Sequence, residues 1–236
     1  MSERIILRET VKSMPREALP AYFYTAVEHV TSLAPALHLL SHPDITQSVE
    51  ENVLLGCYDA GEHHAQSVQE TLNALPDVVL HTDSMWAQGV GLLCAAAGRL
   101  KQLDLPLTHN QLCDQVEKLA AAQPRYHEEF CNGFYTIRSV ALPVFRRLMR
   151  DGHSRQVMLL QTLLHLLAWK SESQYARQQA QRLLWQGGVL GEEGLQKLIA
   201  LDDALNARQC AKKDLPALLA FTDILACFPA GPFFID

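Results

Sequence analysis

The stretch from His81 to Leu100, HTDSMWAQGVGLLCAAAGRL, constrains the fold more than any other part of the chain. It opens as a polar loop and continues as a helix with almost no polar side chains. Trp86, Val90, Leu93, Ala97 and Leu100 recur at alternating steps of four and three, which places them on one helix face. Gly89, Gly91, Cys94, Ala95 and Gly98 fall on the other. A helix that is apolar or small all round is buried on every side. Its three glycines each cost roughly 1 kcal/mol of helix propensity, so neighbouring helices that approach closely have to compensate.

The rest of the chain reads as those neighbours. Residues 1–15 are a lead-in with a helical turn over 8–13. Pro20 sits in the first turn of a helix running to about Leu40 through Phe23, Val27, Val30, Ala34 and Leu37, kinked or restarted at Pro35. Asp44 caps a long helix carrying Val49, Val53, Cys57, Ala60, His64, Val68 and Leu72, reaching Leu75 and ended by Pro76. The central helix, capped by Asp83 or Ser84, extends to about Leu103. Thr108 and Gln111 form a capping box for a helix with Leu112, Val116 and Leu119. After Pro124 a helix carries Phe130, Phe134, Ile137, Ala141 and Leu148, with a kink at Pro143. Ser154 caps a very apolar helix, Val157 to Trp169, and this helix and the Trp169–Trp185 region read as core. Further helices carry Tyr175 to Leu184, stopped by Gly187-Gly188, then Glu192 to Arg208, and, behind Asp214, Leu215 to Phe228. The tail 229–236 reads as a docked extension or a frayed end. Strand-type alternation, repeats and Gly/Ser-rich linkers are absent. The expectation is one all-α domain over residues 1–236, built of about nine helices around buried apolar central ones.

Of the 236 residues 48% are hydrophobic and 19% charged, a globular composition. The net charge of −6 argues against a nucleic-acid partner, and Arg146, Arg147 and Arg150 read as a solvated helix end. No run reaches the roughly 18 apolar residues of a membrane span, and no apolar segment follows Met1-Ser2-Glu3-Arg4 as in a secretory signal. A cytoplasmic protein without membrane association is the expectation. Cys57, Cys94, Cys113, Cys131, Cys210 and Cys227 contain no C-x-x-C pair and fall mostly on apolar faces, so they read as reduced core thiols without a metal.

Gly91 to Leu100 resembles a helix of the triphosphoribosyl-dephospho-coenzyme A synthase family. Asn132-Gly133-Phe134-Tyr135-Thr136-Ile137-Arg138 with Ala141-Leu142-Pro143 is similar to the family's S-G-F-P-S-V-R…A-L-P. Leu163 to Ala168 resembles the apolar helix before its D-D-T-N motif. Gly187-Gly188-Val189-Leu190, Glu193-Gly194-Leu195 and Leu201 to Arg208 are similar to its G-G-V-L…E-G…L-D-x-x-L-x-x-R. The resemblance covers roughly Ala18 to Cys227. It implies an all-helical enzyme that makes the prosthetic-group precursor of citrate lyase or malonate decarboxylase from ATP and dephospho-coenzyme A, with loss of adenine.

The departures from that pattern fall on the chemistry. The family's N-T-H-K/R-G turn aligns with His81-Thr82-Asp83-Ser84-Met85, keeping only the threonine. D-D-T-N aligns with Ser171-Glu172-Ser173-Gln174, keeping one carboxylate. R-G-E-A aligns with His127-Glu128-Glu129-Phe130, and S-P-G-G-S-A-D with Ala211 to Ala217, which retains nothing. The family's K-P-G-L-V and G-S/A-H-x-D-M segments have no counterpart. Triphosphate binding needs Mg²⁺ on carboxylates, cationic side chains and glycine-exposed N–H groups. Displacing adenine at an anomeric carbon also needs stabilised charge and a positioned nucleophile. The candidate ligand-binding residues left are Asp83, Glu129, Arg138 and Glu172, and no catalytic residue is assigned.

Other constellations read as structure. Cys57, His63 and His64 lack the convergence of a metal site, His81-Thr82-Asp83 lacks a nearby nucleophile, Arg125 to Glu129 is a solvated helix start, and Asp202-Asp203 is a solvated face. The leading expectation is a non-catalytic relative with no resident cofactor, binding a protein partner or an altered small molecule. The second is an active synthase using ATP and Mg²⁺. The third is a structural subunit assembling through an apolar helix face, as in a homodimer.

Overall fold

The computed structural model describes residues 4–6, 16–35, 37–41, 43–46, 49–210, 214–227 and 233–235. Helix α1 (Ala18–Thr31) is followed by a 3₁₀ turn (His38–Leu40) and α2 (Pro43–Thr46). Then α3 (Glu51–His63), α4 (Val68–Asn73) and α5 (Asp77–Leu80) lead into α6 (Met85–Gln102). The middle of the chain is α7 (His109–Ala120), α8 (Glu128–Cys131), a π-helical turn (Ile137–Ala141) and α9 (Leu142–Arg150). It ends with α10 (Arg155–Lys170), α11 (Gln174–Trp185), a 3₁₀ turn (Gly188–Leu190), α12 (Gly194–Ala207) and α13 (Leu215–Cys227). Strands β1 (Arg4–Ile6) and β2 (Phe233–Ile235) pair antiparallel, with Arg4 opposite Ile235. Three-residue strands are too short to show a period in the sequence. Nine helices of the described residues have seven residues or more, and the fold is all-α.

Helix α6 is buried without interruption from Met85 to Leu100. Its small residues are where other elements touch it. A Cβ on Gly98 would lie 2.1 Å from the Tyr58 carbonyl oxygen, and one on Gly61 of α3 would lie 2.0 Å from that of Ala95. Helices α3 and α6 therefore cross backbone against backbone. On Gly89 a Cβ would meet the Phe221 ring at 2.2 Å, and on Gly91 it would meet Val79 at 2.5 Å. Helix α13 is wholly buried and packs on α1, α9 and α10. Phe221 of α13 stacks on Trp86 at 5.0 Å between ring centroids and meets Phe130 edge-on at 5.7 Å.

Several sequence boundaries are corrected. Helix α1 stops at Thr31, before Pro35, which disfavours helix at the residue preceding it. The chain turns again only where buried Asp202 accepts the His38 and Leu39 N–H groups, each at 2.7 Å. The long helix expected from Asp44 to Leu75 is three pieces, α2, α3 and α4. The break between α3 and α4 is held by Arg99, whose guanidinium donates to the carbonyls of His64 (3.4 Å) and Ser67 (3.2 Å) and to Thr71 Oγ1 (2.8 Å). The helix expected after Pro124 breaks at Gly133 and Phe134, both left-handed (φ 58° and 60°). Trp169 and Trp185 are not core: they are 59% and 91% exposed. The apolar helix before them is core, as expected. Arg146 is half-buried rather than solvated and donates to the Leu225 carbonyl. The expected turn over 8–13 lies outside the described residues, as does the tail apart from β2. All six cysteines are free thiols. No helix of the described residues is long and apolar enough to cross a membrane.

Gly98→Ala forces the α3–α6 crossing apart and lowers the unfolding free energy by about 2 kcal/mol or more in urea denaturation. Gly56→Ala, on the same α3 but with only Pro76 Cγ in ordinary contact at 3.6 Å, raises it by about 0.5–1 kcal/mol.

Candidate functional site

The N-terminus of α6 is built by side chains that satisfy its free N–H groups. Ser84 Oγ accepts from Ala87 N–H at 3.0 Å, and Thr82 Oγ1 accepts from Ser84 N–H at 3.0 Å. Asp44, from α2, accepts from Trp86 N–H at 3.3 Å and is itself buried. Of the two expected caps, Ser84 serves and Asp83 is exposed. A helix start is a natural anion site, and here the chain's own Asp44 carboxylate takes it. Met85 and Trp86 are buried directly behind it.

One turn further, Gln88 ties this loop to the start of α8. Its Nε2 donates to the Thr82 carbonyl (2.7 Å), and its Oε1 accepts from His127 N–H (3.0 Å). His127 Nδ1 in turn accepts from Glu129 N–H at 3.2 Å. Glu129 is only 2% exposed, and its Oε1 accepts from Ile137 N–H at 3.0 Å. That carboxylate holds the first turn of the π-helical segment. Arg138 is part-exposed and sits 3.7 Å from Asp114. Glu172 is exposed, and its backbone carbonyl accepts from Arg177 at 3.3 Å. Asp83, Glu129, Arg138 and Glu172 thus stand in separate environments on different elements.

Among the described residues, one group of three metal-type side chains brings its ligand atoms within 4.8 Å: His38, Asp202 and Asp203. Asp202 is buried, not on a solvated face, and its two oxygens already receive backbone N–H groups. Cys57, His63 and His64 form no such group among the described residues. Burial pushes the Cys57, Cys113 and Cys227 thiols up to about 12, so none supplies a thiolate nucleophile at neutral pH.

Two concavities flank these elements. One, of about 300 Å³, lies beside the His81 loop and is lined by Leu72, Leu80, His81, Arg125 and Tyr126 among others. The other, of about 460 Å³, lies between α11 and α12 with Arg182 and Lys197 on its walls. None of the four sequence candidates lines either one. Sequence reasoning also missed a charged network on α13. Asp223 is 3% exposed and receives Arg155 Nη1 at 2.7 and 2.9 Å, with His29 Nδ1 at 2.7 Å. The signal was available: a lone acid in the otherwise apolar LPALLAFTDILAC has to be paired when the helix is buried.

An all-α protein with a glycine-lined, fully buried central helix is the class that this geometry defines. No family model matches the chain, and no solved structure matches it. Curated relatives do match. A 2-(5''-triphosphoribosyl)-3'-dephosphocoenzyme-A synthase from Klebsiella pneumoniae is 36% identical over 70% of this chain and 66% of its own length. The synthase of that name from Escherichia fergusonii is 33% identical over 71% of this chain and 67% of its own length. A probable synthase from Pectobacterium carotovorum is 29% identical, covering 69% and 63%. The chain belongs to the triphosphoribosyl-dephospho-coenzyme A synthase family. It spans just under two thirds, 66%, of the length of the Klebsiella relative.

Burial lowers the affinity of His109 and His165 for protons, and Arg146 and Arg138 add to the effect at His109. Below the usual histidine value of about 6.5, the unfolded chain takes up protons that the folded chain resists. Stability therefore rises with pH in that window and falls as pH drops through it. The urea midpoint decreases between about pH 7 and pH 5, and a His109→Gln, His165→Gln double variant loses part of that decrease.

Proposed function

We propose that this chain is a non-catalytic relative of the synthases, which keeps their helical scaffold and uses it to bind a protein partner or a small molecule other than ATP and dephospho-coenzyme A. The observation that carries this reading is the occupied start of α6. The turn that resembles the family's N-T-H-K/R-G segment ends on a helix whose N-terminal N–H groups are taken by Ser84 and by the Asp44 carboxylate. A triphosphate brought there meets a buried negative charge instead of N–H donors and cations. The remaining polar candidates support the same reading. Glu129 is bound to the Ile137 N–H group, Arg138 faces Asp114, and Glu172 is exposed on another element.

A second reading, an active synthase, draws on the activity for which the relatives are named and on their 33–36% identity. An assembly reading draws on exposed Trp185, at the end of α11, and Leu190, in the 3₁₀ turn after it; a monomer in light scattering at all concentrations removes it.

The test is incubation with Mg-ATP and dephospho-coenzyme A, followed by chromatography for free adenine and by thermal unfolding. A ligand at a hundred times its dissociation constant adds about 2.7 kcal/mol of stability. The expected result is no adenine and no shift. Release of adenine overturns the non-catalytic reading, and a shift without release restores nucleotide binding without the reaction.

A further inference from the structure

Helix α11 is one-sided in charge. Its sequence, QYARQQAQRLLW, carries two arginines and no acid, although the chain as a whole has a net charge of −6. Arg177 donates to the carbonyls of Ser171 and Glu172 at the start of the helix. Arg182 is exposed, and no carboxylate among the described residues pairs with it.

Beside Arg182 runs the groove of about 460 Å³ between α11 and α12. Its lining follows α11 from Tyr175 to Gln186, three turns or about 16 Å of helix. Buried Leu183 and Leu201 form its floor. Arg182 and Lys197 stand on its walls, and no carboxylate among the described residues does. Lys197 Nζ donates to a backbone carbonyl, that of Glu192, at 3.0 Å, which leaves its charge uncancelled. At the far end the Arg208 guanidinium lies over the Tyr175 ring at 4.1 Å, a third cation without an acid. Trp185 follows Arg182 by three residues, on the same side of α11, and is 91% exposed. An indole held in water forgoes one of the largest burial gains open to a side chain. Trp and Arg are also the residue types enriched among those that dominate binding at protein interfaces.

The groove is open along its length, a shape that suits a rod laid into it, as when an amphipathic helix docks between two others. Its wall charge calls for carboxylates on that rod. A second copy of this chain supplies them poorly. A twofold contact through α11 sets the same surface against itself, and α11 has two arginines and no acid to meet them.

We propose that the α11–α12 groove docks an acidic amphipathic helix of a partner protein. Its apolar side lies on Leu183, Leu201 and Trp185, and its carboxylates meet Arg182 and Lys197. The proposal rests on the non-catalytic reading and deepens it by naming the surface and the chemistry of the protein partner.

The test is site-specific photocrosslinking in the cells that express the chain, with p-benzoylphenylalanine placed at Gln186, which is exposed and lines the groove. Adducts are mapped by mass spectrometry, and the mapped segment is synthesised and titrated against the full chain by fluorescence anisotropy. The expected adduct is a different protein, joined through an acidic, helix-forming segment. Arg182→Glu combined with Lys197→Glu weakens that segment about tenfold or more, and Trp185→Ala does so by a similar factor, with the melting temperature unchanged. A segment with its acids replaced by amides binds the parent chain about tenfold more weakly. The proposal is overturned if no adduct forms, if the adduct is a second copy of this chain, if the mapped segment is not acidic, or if the double variant binds it as tightly as the parent. Adenine release keeps the two failures apart: release sinks the non-catalytic reading, whereas a missing adduct without release sinks only this docking surface.

Discussion

The crossing of α3 on α6 is the constraint on which the rest of this structure depends. Gly61 and Gly98 bring the two backbones together so closely that no Cβ fits between them. Such an approach maximises dispersion contact along both helices, which offsets the helix propensity the glycines lose. It also fixes α6 in the centre of the fold with its first turn, Met85 and Trp86, against α13. Once α6 is fixed, Gln88 sets the distance between the His81 loop and α8, and Arg99 sets the turn between α3 and α4. Both the closed helix start and the cavity beside it follow from that one crossing.

Local chemistry was legible in the sequence because it is local. Ser84, Thr108 and Ser154 each cap the helix that follows, since a hydroxyl three residues before an N–H group needs no distant partner. The fully buried α6 was legible for the same reason: its pattern admits no solvent-facing side. The break in the expected long helix was not legible. His64 and Val68 stay in helical phase with what precedes them, and the break exists because Arg99, 32 residues beyond Ser67, draws its carbonyl. The left-handed Phe134 likewise answers to a distant acceptor geometry around Glu129, whose carbonyl takes the Phe134 N–H and whose carboxylate takes that of Ile137. The candidates Asp83, Glu129, Arg138 and Glu172 were legible as residues, but not the separate elements and partners that the fold gives them. Asp44 acquires its place at the start of α6 only when α2 folds onto the His81 loop.

The buried carboxylates share a fate that bears on chemistry. Asp44 and Glu129 each accept a backbone N–H group, Asp202 accepts two, and Asp223 is held between Arg155 and His29. A carboxylate that holds a magnesium ion has to present free lone pairs to it. An oxygen that already accepts from a backbone N–H group has one lone pair fewer to offer. Asp44, Glu129 and Asp202 thus secure helix starts and turns, and Asp223 anchors a charged network on α13.

The same logic explains why a clear family relationship leaves the reaction open. The segment from Gly91 to Leu100 carries much of the resemblance, and Gly98 shows what keeps it: a neighbouring carbonyl 2.1 Å from where its Cβ would stand. A sequence motif of that kind is demanded by packing whether or not any substrate is turned over. Fold and function are separable in this way because chemistry resides in a few side chains grafted on a scaffold that many sites can use. Here the scaffold keeps its glycine-lined crossing, while the helix start beside it is closed by the chain's own carboxylate.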